Sequence, residues 1–203
     1  MDQGLTEKIR RRYNRNAVFF DSMDRMIRED WRRQVMAKAA GNVLEVGVGT
    51  GKNLPYYHPD ICTKVTGIDF SPGMLAVAVP RAAQAPVPVE LIEMDVQALK
   101  FAAATFDTVV STCVFCSVPN PVDGLKEIKR VCNPNGKILF LEHMRVNWPI
   151  VGTLMDVINP ISVGLLGVNI NRRTVENIEK AGLTILKIEN LMGPLVRYIE
   201  AKP

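Results

Sequence analysis

Residues 45–51 read Glu45-Val46-Gly47-Val48-Gly49-Thr50-Gly51, and they are the most informative segment for the fold class of the chain. It continues the apolar run that begins at Val43, so a short buried strand leads straight into a glycine-rich turn. Glycine adopts positive φ and lets a ligand approach the backbone closely. The spacing is G-x-G-x-G, which differs from the G-x-G-x-x-G of dinucleotide sites. The stretch therefore predicts a ligand-binding turn at the carboxyl end of a first strand.

Outward from this turn, strand-like and helix-like patterns alternate along the chain. Further strands are expected over residues 64–69, 89–94, 106–115, 137–142, 183–191 and 195–201. Helices are expected near Asn53, from Ser71, and over residues 122–131 and 172–181, with a turn at 133–136. Such alternation favours a parallel sheet covered on both faces, and the short turn at 192–194 favours a final hairpin. The sequence predicts an α/β fold: a Rossmann-like, doubly wound, seven-stranded, mainly parallel sheet with a C-terminal antiparallel hairpin.

The length and the composition, 47% apolar and 23% charged, favour a single domain over residues 1–203. Apolar positions recur at helical spacing over residues 1–40 and predict an N-terminal amphipathic helical cap. The whole net charge of +4 lies in this cap, which carries ten Lys and Arg against six Asp and Glu. This excess indicates either an anionic partner surface, lipid or nucleic acid, or a solvated helix.

The longest apolar run, residues 150–168, is interrupted by Asp156, Asn159 and Pro160. A membrane-spanning helix needs about 20 mostly apolar residues, so this run predicts two short amphipathic helices broken at Pro160. The charged first residues predict no secretory signal and hence a cytoplasmic protein.

The cysteines are too few and too irregularly spaced for a disulfide framework: Cys62, Cys113, Cys116 and Cys132. Cys113 and Cys116 form a C-x-x-C, but no second pair completes a zinc site. We therefore expect no metal, and cysteines that act as small core side chains.

Two acids at strand ends accompany the glycine turn. Asp69 closes the second strand, 24 positions after Glu45, where a carboxylate can accept both ribose hydroxyls. The alternative for Asp69 is an N-cap for the helix from Ser71 onwards. Asp95 follows the third strand, where it can meet an adenine amino group beside the Val96 N–H. Since the bare backbone of the turn suits the amino and carboxylate groups of a methionine, the three strand ends together indicate S-adenosylmethionine.

Five segments resemble, in order and spacing, the successive motifs of class I S-adenosylmethionine-dependent methyltransferases. They are 45–51 (EVGVGTG), 67–74 (GIDFSPGM), 93–96 (EMDV), 106–111 (FDTVVS) and 130–139 (RVCNPNGKIL). The chain is most similar to the branch of ubiquinone/menaquinone C-methyltransferases, bacterial phosphatidylethanolamine N-methyltransferases and alkyl-thiol methyltransferases. The last two match best, at 116–121, 141–143 and 169–174. The LEHMR of residues 141–145 stands where quinone enzymes usually have an LEFSKP-like run, which counts against a quinol.

The resemblance implies S-adenosylmethionine as cofactor, with S-adenosylhomocysteine as product, and assigns residues to it. From the methionine end to the adenine, the implied cofactor residues are Glu45, Gly47, Gly49, Gly51, Thr112, Asp69, Phe70, Met74, Asp95 and Val96. Tyr13 lies in a segment, 12–21, similar to the stretch that covers the cofactor in relatives; the alternative is simple helix packing. Residues 146–170 are implied to form an apolar lid over the acceptor, and Trp148, Asp156, Arg172 and Arg173 are expected to act with this lid on the substrate.

Methylation of an amine or a thiol requires a lone pair, so the acceptor must lose a proton. His143, just past the fifth strand, is the best candidate base, because an unperturbed imidazole has a pKa of about 6.5. Its alternative is a hydrogen-bonded structural role, and Asp156 and Tyr13 are weaker candidates. Arg172 and Arg173 are expected to contact a phosphate or an anionic membrane, or else to begin a solvated helix.

We therefore expect methylation of a small amphipathic acceptor, in the first place a phospholipid headgroup amine of the phosphatidylethanolamine type. The alternatives are a small hydrophobic thiol, the carbon of a quinol, and, in a different class, a non-catalytic S-adenosylmethionine-binding module. Nucleic acid is disfavoured because residues 111–117 lack the Asn/Asp-Pro-Pro-aromatic motif of amino-methylating DNA enzymes. The glycine spacing and the final hairpin argue against an NAD-dependent dehydrogenase. The expected location is the cytoplasm, with peripheral contact at the inner face of the membrane.

Overall fold

Strands and helices alternate along the described part of the chain, which is residues 4, 7–14 and 26–203 of the computed structural model. The strands are β1 (Gly41–Val46), β2 (Cys62–Asp69), β3 (Val89–Glu93), β4 (Phe106–Thr112), β5 (Cys132–His143), β6 (Thr184–Met192) and β7 (Val196–Lys202). The helices are α1 (residues 7–14), α2 (Glu29–Met36), α3 (Pro72–Ala83), α4 (Pro121–Val131), α5 (Pro149–Leu166) and α6 (Thr174–Lys180).

The strands form one sheet in the order β3-β2-β1-β4-β5-β7-β6. Strands β1 to β5 pair in parallel, whereas β7 pairs antiparallel with both β5 and β6. The predicted seven-stranded, mainly parallel sheet with its C-terminal antiparallel hairpin is confirmed. Strand order reverses between β1 and β4, and ligands of open α/β sheets bind beyond the strand ends at such a point.

The central strands are apolar throughout because both faces of the sheet are covered. In β4, Val109 belongs to one buried cluster and Val110 to the other, and in β5 Phe140 and Leu141 divide in the same way. Helices α4 and α6 contribute to the first cluster, and α2 contributes to the second. Continuous apolar runs are typical of strands that are buried on both faces.

Two local predictions need correction. A short 3₁₀ helix, Leu54–Tyr56, takes the place of the helix expected near Asn53, since the chain becomes extended at Tyr57 and buries that ring. Strand β5 begins earlier than predicted, at Cys132, and the expected turn at 133–136 survives as an unpaired bulge in it.

The prediction of two helices broken at Pro160 is wrong, because α5 runs through this proline as one helix. Proline removes one N–H bond, but side chains on both sides of it hold the same returning segment, residues 168–170. Asn159 bonds to the Asn169 side chain and to the Ile170 N–H, and Ser162 donates to the Val168 carbonyl. None of the described helices, α5 included, combines the length and hydropathy that crossing a bilayer requires.

Two helices, α1 and α2, lie within the expected N-terminal cap. Asn14, at the end of α1, accepts hydrogen bonds from the Ser71 hydroxyl and the Gly73 N–H, which ties α1 to the start of α3. Residues 1–3, 5–6 and 15–25 lie outside the described part, and with them most of the 12–21 segment that we expected to cover the cofactor.

Candidate active site

A cavity of about 610 Å³ opens where the sheet order reverses, beyond the carboxyl ends of β1, β2 and β4. Its near part is lined by nine of the implied cofactor residues: Glu45, Gly47, Gly49, Asp69, Phe70, Met74, Asp95, Val96 and Thr112. Its far part, called the distal wall below, consists of His143, Val146, Val151, Met155, Ser162, Val168, Ile170 and Leu195. The structure thus brings the predicted strand-end residues together around one space, and α5 contributes to its far side.

The glycine turn exposes bare backbone to the cavity. Gly47 and Gly49 have φ values of 59° and 56°, in the left-handed region that favours glycine. A Cβ at Gly47 would lie 2.5 Å from the Val114 side chain, whereas one at Gly49 would meet only the Gly47 carbonyl, at 3.9 Å. Gly51 does not line the cavity, because it packs against Leu54 and the helix residue Ala78. Gly49 is therefore the position where a ligand can approach the main chain.

Asp69 connects the end of β2 to the glycine turn. Its Oδ2 accepts from the Gly49 N–H and its Oδ1 accepts from the Ser71 N–H, both at 2.9 Å. Burial raises the pKa of this carboxyl to about 6. The N-cap of α3 is Ser71, whose hydroxyl accepts from the Met74 N–H, so the alternative role of Asp69 as the cap residue is wrong. Each Asp69 oxygen keeps acceptor capacity for a ligand in the cavity.

The third strand end is organised by a residue that sequence reasoning missed. Gln97 donates from its main chain and its side chain to Asp95, and its Oε1 accepts from the Asn120 N–H. This arrangement fixes Asp95 beside Val96, which lines the same part of the cavity. A glutamine two residues after a strand-end acid was the available signal.

A buried polar network, also missed from the sequence, lies behind the glycine turn. Asn53 donates to Glu45 and to Thr112, and it accepts from the Arg32 guanidinium at 2.7 Å. The Tyr57 hydroxyl donates to the second oxygen of Glu45. Burial raises the pKa of Glu45 to about 7, although these donors and Arg32 oppose the shift. The network places Glu45, Arg32 and Asn53 at the cavity wall with their orientations fixed.

The distal wall is apolar apart from two side chains, His143 and Ser162. His143 ends β5, pairs with Val196 of β7, and is only 6% exposed. Burial lowers the pKa of His143 to about 4, so its imidazole is neutral at physiological pH. The wall therefore presents one uncharged nitrogen base among aliphatic groups.

Tyr13 closes the cavity from the side of α1. Its hydroxyl shares a 2.5 Å hydrogen bond with the Ser117 hydroxyl, and its ring lies 5.6 Å from that of Phe70. Burial raises the pKa of Tyr13 well above its ordinary value, so the hydroxyl stays protonated. This position agrees with a covering residue, and the pKa argues against Tyr13 as a base.

Four residues that we expected to act with the lid do not line the cavity: Trp148, Asp156, Arg172 and Arg173. Trp148 precedes α5 and is 61% exposed. Asp156 forms an ion pair with Arg145 at 2.8 Å, and hydrogen bonds from Arg145 and Asn171 hold its pKa at about 2. Because Asp156 lies outside the cavity and is paired with Arg145, it is not placed to act as an alternative to His143.

The two arginines after α5 have structural partners. Arg172 is half-buried and donates to the Val118 carbonyl at 2.6 Å, which joins the segment between α5 and α6 to the loop after β4. Arg173 is exposed and pairs with Glu176 at the start of α6. Arg173 thus stands at a solvated helix start, Arg172 has a structural bond, and neither lines the cavity.

Within the described residues, no group of three or more His, Cys, Asp or Glu side chains is placed to hold a metal ion. The four cysteines are free, and burial raises the pKa of Cys116 to about 12. The buried thiols Cys62, Cys116 and Cys132 therefore pack as small neutral side chains.

Comparison with known proteins identifies a family of similar sequences. A family model for a methyltransferase domain matches residues 44–140. A phosphatidylethanolamine N-methyltransferase of Cereibacter sphaeroides is 40% identical over 143 residues, which cover 68% of this chain and 68% of that relative. A ubiquinone/menaquinone biosynthesis C-methyltransferase of Bdellovibrio bacteriovorus is 32% identical over an alignment that covers 74% of this chain and 68% of that relative. A thiol S-methyltransferase of Homo sapiens is 29% identical over an alignment that covers 76% of this chain and 64% of that relative.

A solved structure carries the same fold. The S-adenosylmethionine-dependent methyltransferase from Mesorhizobium loti superimposes with a TM-score of 0.68 at 19% identity, covering 86% of this chain and 97% of that chain. The same family is indicated by the sheet order, the glycine turn, the strand-end acids and the relatives. The chain belongs to the class I S-adenosylmethionine-dependent methyltransferases and uses S-adenosylmethionine as its methyl donor.

Proposed function

We propose that the chain transfers this methyl group to the primary amine of a phospholipid headgroup of the phosphatidylethanolamine type. One observation carries the proposal: a single cavity joins the glycine turn to the apolar distal wall. An amphipathic acceptor can lie along this wall with its nucleophile at the cofactor end. The 40% identity to a phosphatidylethanolamine N-methyltransferase supports this headgroup.

The residues of the near cavity fit the cofactor. The bare backbone at Gly49 and the guanidinium of Arg32 would receive the methionine portion, and the free lone pairs of Asp69 would accept the ribose hydroxyls. Phe70 and Met74 would contact the adenine. When bound, S-adenosylmethionine supplies a methyl group on a sulfonium, which a lone pair displaces in line.

The distal wall would favour the neutral, nucleophilic form of the acceptor amine. An ammonium against aliphatic side chains is desolvated, which lowers its pKa and favours the neutral, nucleophilic form. His143 would accept a hydrogen bond from the amine and take up its proton. Because this imidazole is neutral until it takes up that proton, it adds no positive charge near the sulfonium before the methyl group is transferred. The aliphatic residues of the wall exclude water from the transfer.

A second candidate is S-methylation of a small hydrophobic thiol. The distal wall carries no charged side chain that would bind a phosphate, which favours a neutral acceptor, and a thiol S-methyltransferase is among the relatives. C-methylation of a quinol has the support of the 32% identical relative, but the LEHMR of residues 141–145 counts against it.

Methyl-labelled S-adenosylmethionine separates these acceptors. The full chain would be incubated in parallel with phosphatidylethanolamine, a hydrophobic alkyl thiol and a reduced quinone. We expect label in the phospholipid fraction. Label in the thiol or the quinol instead would overturn the proposal, and S-adenosylhomocysteine binding without any transfer would indicate a non-catalytic module.

His143→Ala tests the base, with Asp156→Asn as the matched control. We expect His143→Ala to lower kcat about a hundredfold, because the proton of the acceptor loses its acceptor group. Asp156→Asn should retain wild-type kcat, since Asp156 lies outside the cavity. S-adenosylhomocysteine affinity, measured by calorimetry, should be unchanged in both variants. Equal kcat values for the two variants would show that His143 takes no part in the transfer.

A further inference from the structure

The outer face of α5 is an uninterrupted stripe of exposed aliphatic side chains. Its six residues, called the outer stripe below, are Ile150, Leu154, Val157, Ile158, Ile161 and Leu165. Apart from the adjacent pair Val157 and Ile158, they recur every three or four positions, so they share one side of the helix. Their exposed fractions run from 40% to 85%. Monomeric soluble proteins rarely expose so continuous an apolar patch, and such patches mark interaction surfaces.

The neighbouring face of the same helix lines the cavity. Val151, Met155 and Ser162 belong to the distal wall, one position from members of the outer stripe. The single charged residue of α5, Asp156, is held by Arg145 and Asn171. A surface that covers the outer stripe therefore comes to lie beside the distal wall.

The helix that contacts the C-terminal end of α5 is rich in cations. Helix α1 packs on the C-terminal end of α5, where Arg12 donates to the Val163 carbonyl at 2.6 Å. Residues 7–14 carry four Lys and Arg against one acid, Glu7, and Lys8 and Arg11 are exposed. At the opposite end of α5 stands the exposed Trp148. An apolar helix face with neighbouring cations and an aromatic residue at its end is typical of elements that lie in a membrane interface.

We infer that the outer stripe inserts into the headgroup boundary of an anionic bilayer, with Lys8 and Arg11 on the lipid phosphates. The inference rests on the proposed function, because it explains how a membrane lipid reaches the distal wall without crossing water. A bilayer fits better than a second copy of the chain. The stripe offers six aliphatic side chains and no hydrogen-bonding side chain, whereas protein interfaces surround their apolar core with a polar rim.

Vesicle binding tests the surface with a matched pair of variants. The stripe variant is Leu154→Glu with Ile161→Glu, at residues 55% and 61% exposed. The control is Val79→Glu with Leu186→Glu, at residues 57% and 55% exposed on α3 and β6. Both change the net charge equally. On vesicles of phosphatidylcholine with phosphatidylglycerol, we expect the stripe variant to bind at least about tenfold more weakly than the control. Equal binding of the two variants would overturn the inference.

Tryptophan depth gives an independent readout, since the chain holds only Trp31 and Trp148. With brominated lipids in the same vesicles, Trp31→Phe leaves Trp148 as the reporter and Trp148→Phe leaves Trp31. We expect strong quenching of Trp148 and little of Trp31. Equal quenching, or none of Trp148 in vesicle-bound protein, would contradict insertion at α5.

Two further measurements separate the possible failures. Sedimentation without lipid would reveal a second copy as the occupant; a dimer that the stripe variant abolishes would overturn the inference. Methyl transfer would be compared between long-chain phosphatidylethanolamine in vesicles and a dispersed short-chain form. We expect the stripe variant to lose only the vesicle reaction. If the wild-type chain docks at the stripe but methylates neither form, the proposed function fails while the docking surface stands.

Discussion

Substitutions at two glycines with nearly the same φ can distinguish the effect of backbone strain from the effect of lost ligand contact. Gly49 and Gly193 have φ values of 56° and 54°, but only Gly49 borders the cavity. Gly49→Ala places a methyl group against bare backbone that would face the cofactor. We expect it to lower the free energy of unfolding by about 1 kcal/mol. We also expect it to weaken S-adenosylhomocysteine binding by at least about tenfold, measured by titration calorimetry.

Gly193→Ala is the control for this substitution. No atom lies within 4 Å of a Cβ there, so the added methyl group causes backbone strain alone. A similar loss of stability in denaturant with wild-type affinity for S-adenosylhomocysteine is the expected result. If both variants bound the ligand equally well, the methionine portion would not lie against residue 49.

Residues of the site differ in how far the sequence reveals them. Asp69 and Asp95 were predictable, because they close strands whose order along the chain is regular. Asn53 lies just after the glycine turn, and this position was only a weak indication that its side chain belongs to the site. Arg32 left none: its guanidinium reaches Asn53 across 21 positions, and the helical pattern of α2 does not indicate which face is covered. Long-range contacts of this kind depend on packing and not on local pattern.

At the scale of the element, α5 depends on the residues that anchor it. Asn159→Ala removes the bonds to the Asn169 side chain and the Ile170 N–H. We expect a loss of about 1–2 kcal/mol in the free energy of unfolding and faster amide exchange at Ile170. Thr153→Ala is the control, since its hydroxyl donates to the Pro149 carbonyl within the same helix. Unchanged exchange in Asn159→Ala would mean that other contacts anchor the segment.

The misplaced break at Pro160 illustrates the limit of local rules at this scale. Proline disfavours a helix interior by about 3 kcal/mol, and tertiary bonds from Asn159 and Ser162 to one segment offset that preference. The continuous apolar runs of the central strands, by contrast, agree with their burial on both faces, so the prediction of the sheet was correct.

At the scale of the whole molecule, buried acids couple stability to pH. Burial raises the pKa values of Glu45 and Glu142 to about 7 and that of Asp69 to about 6. Between about pH 4 and pH 7 the folded chain therefore binds more protons at these acids than the unfolded chain, and its stability falls as the pH rises. His143, with its pKa lowered to about 4, opposes this trend as one group against three. We therefore expect a larger free energy of unfolding at pH 5.5 than at pH 8, because the raised pKa values of the three acids outweigh the lowered pKa of His143.

Glu142→Gln isolates one contribution to this dependence. The amide oxygen keeps the hydrogen bonds that Glu142 accepts from the Ser111 hydroxyl and the Val114 N–H, but it carries no charge. The variant should be more stable than the wild type at pH 8 and similar to it at pH 5, in urea unfolding at each pH. Glu179→Gln, an exposed control, should follow the wild-type curve. A parallel curve for Glu142→Gln would place the pH dependence elsewhere.

The antiparallel strand β7 has a consequence for how the protein is made. It lies between β5 and β6 in the sheet, although it follows both in the chain. During synthesis on the ribosome, β5 emerges first and keeps an unpaired apolar edge, with His143 unsupported, until residues 196–202 appear. Slow translation between β5 and β7 would prolong the exposure of that edge, which is a template for intermolecular pairing. Yield during expression should therefore depend on the choice of codons 144–202 more than on the choice of codons for β1 to β4.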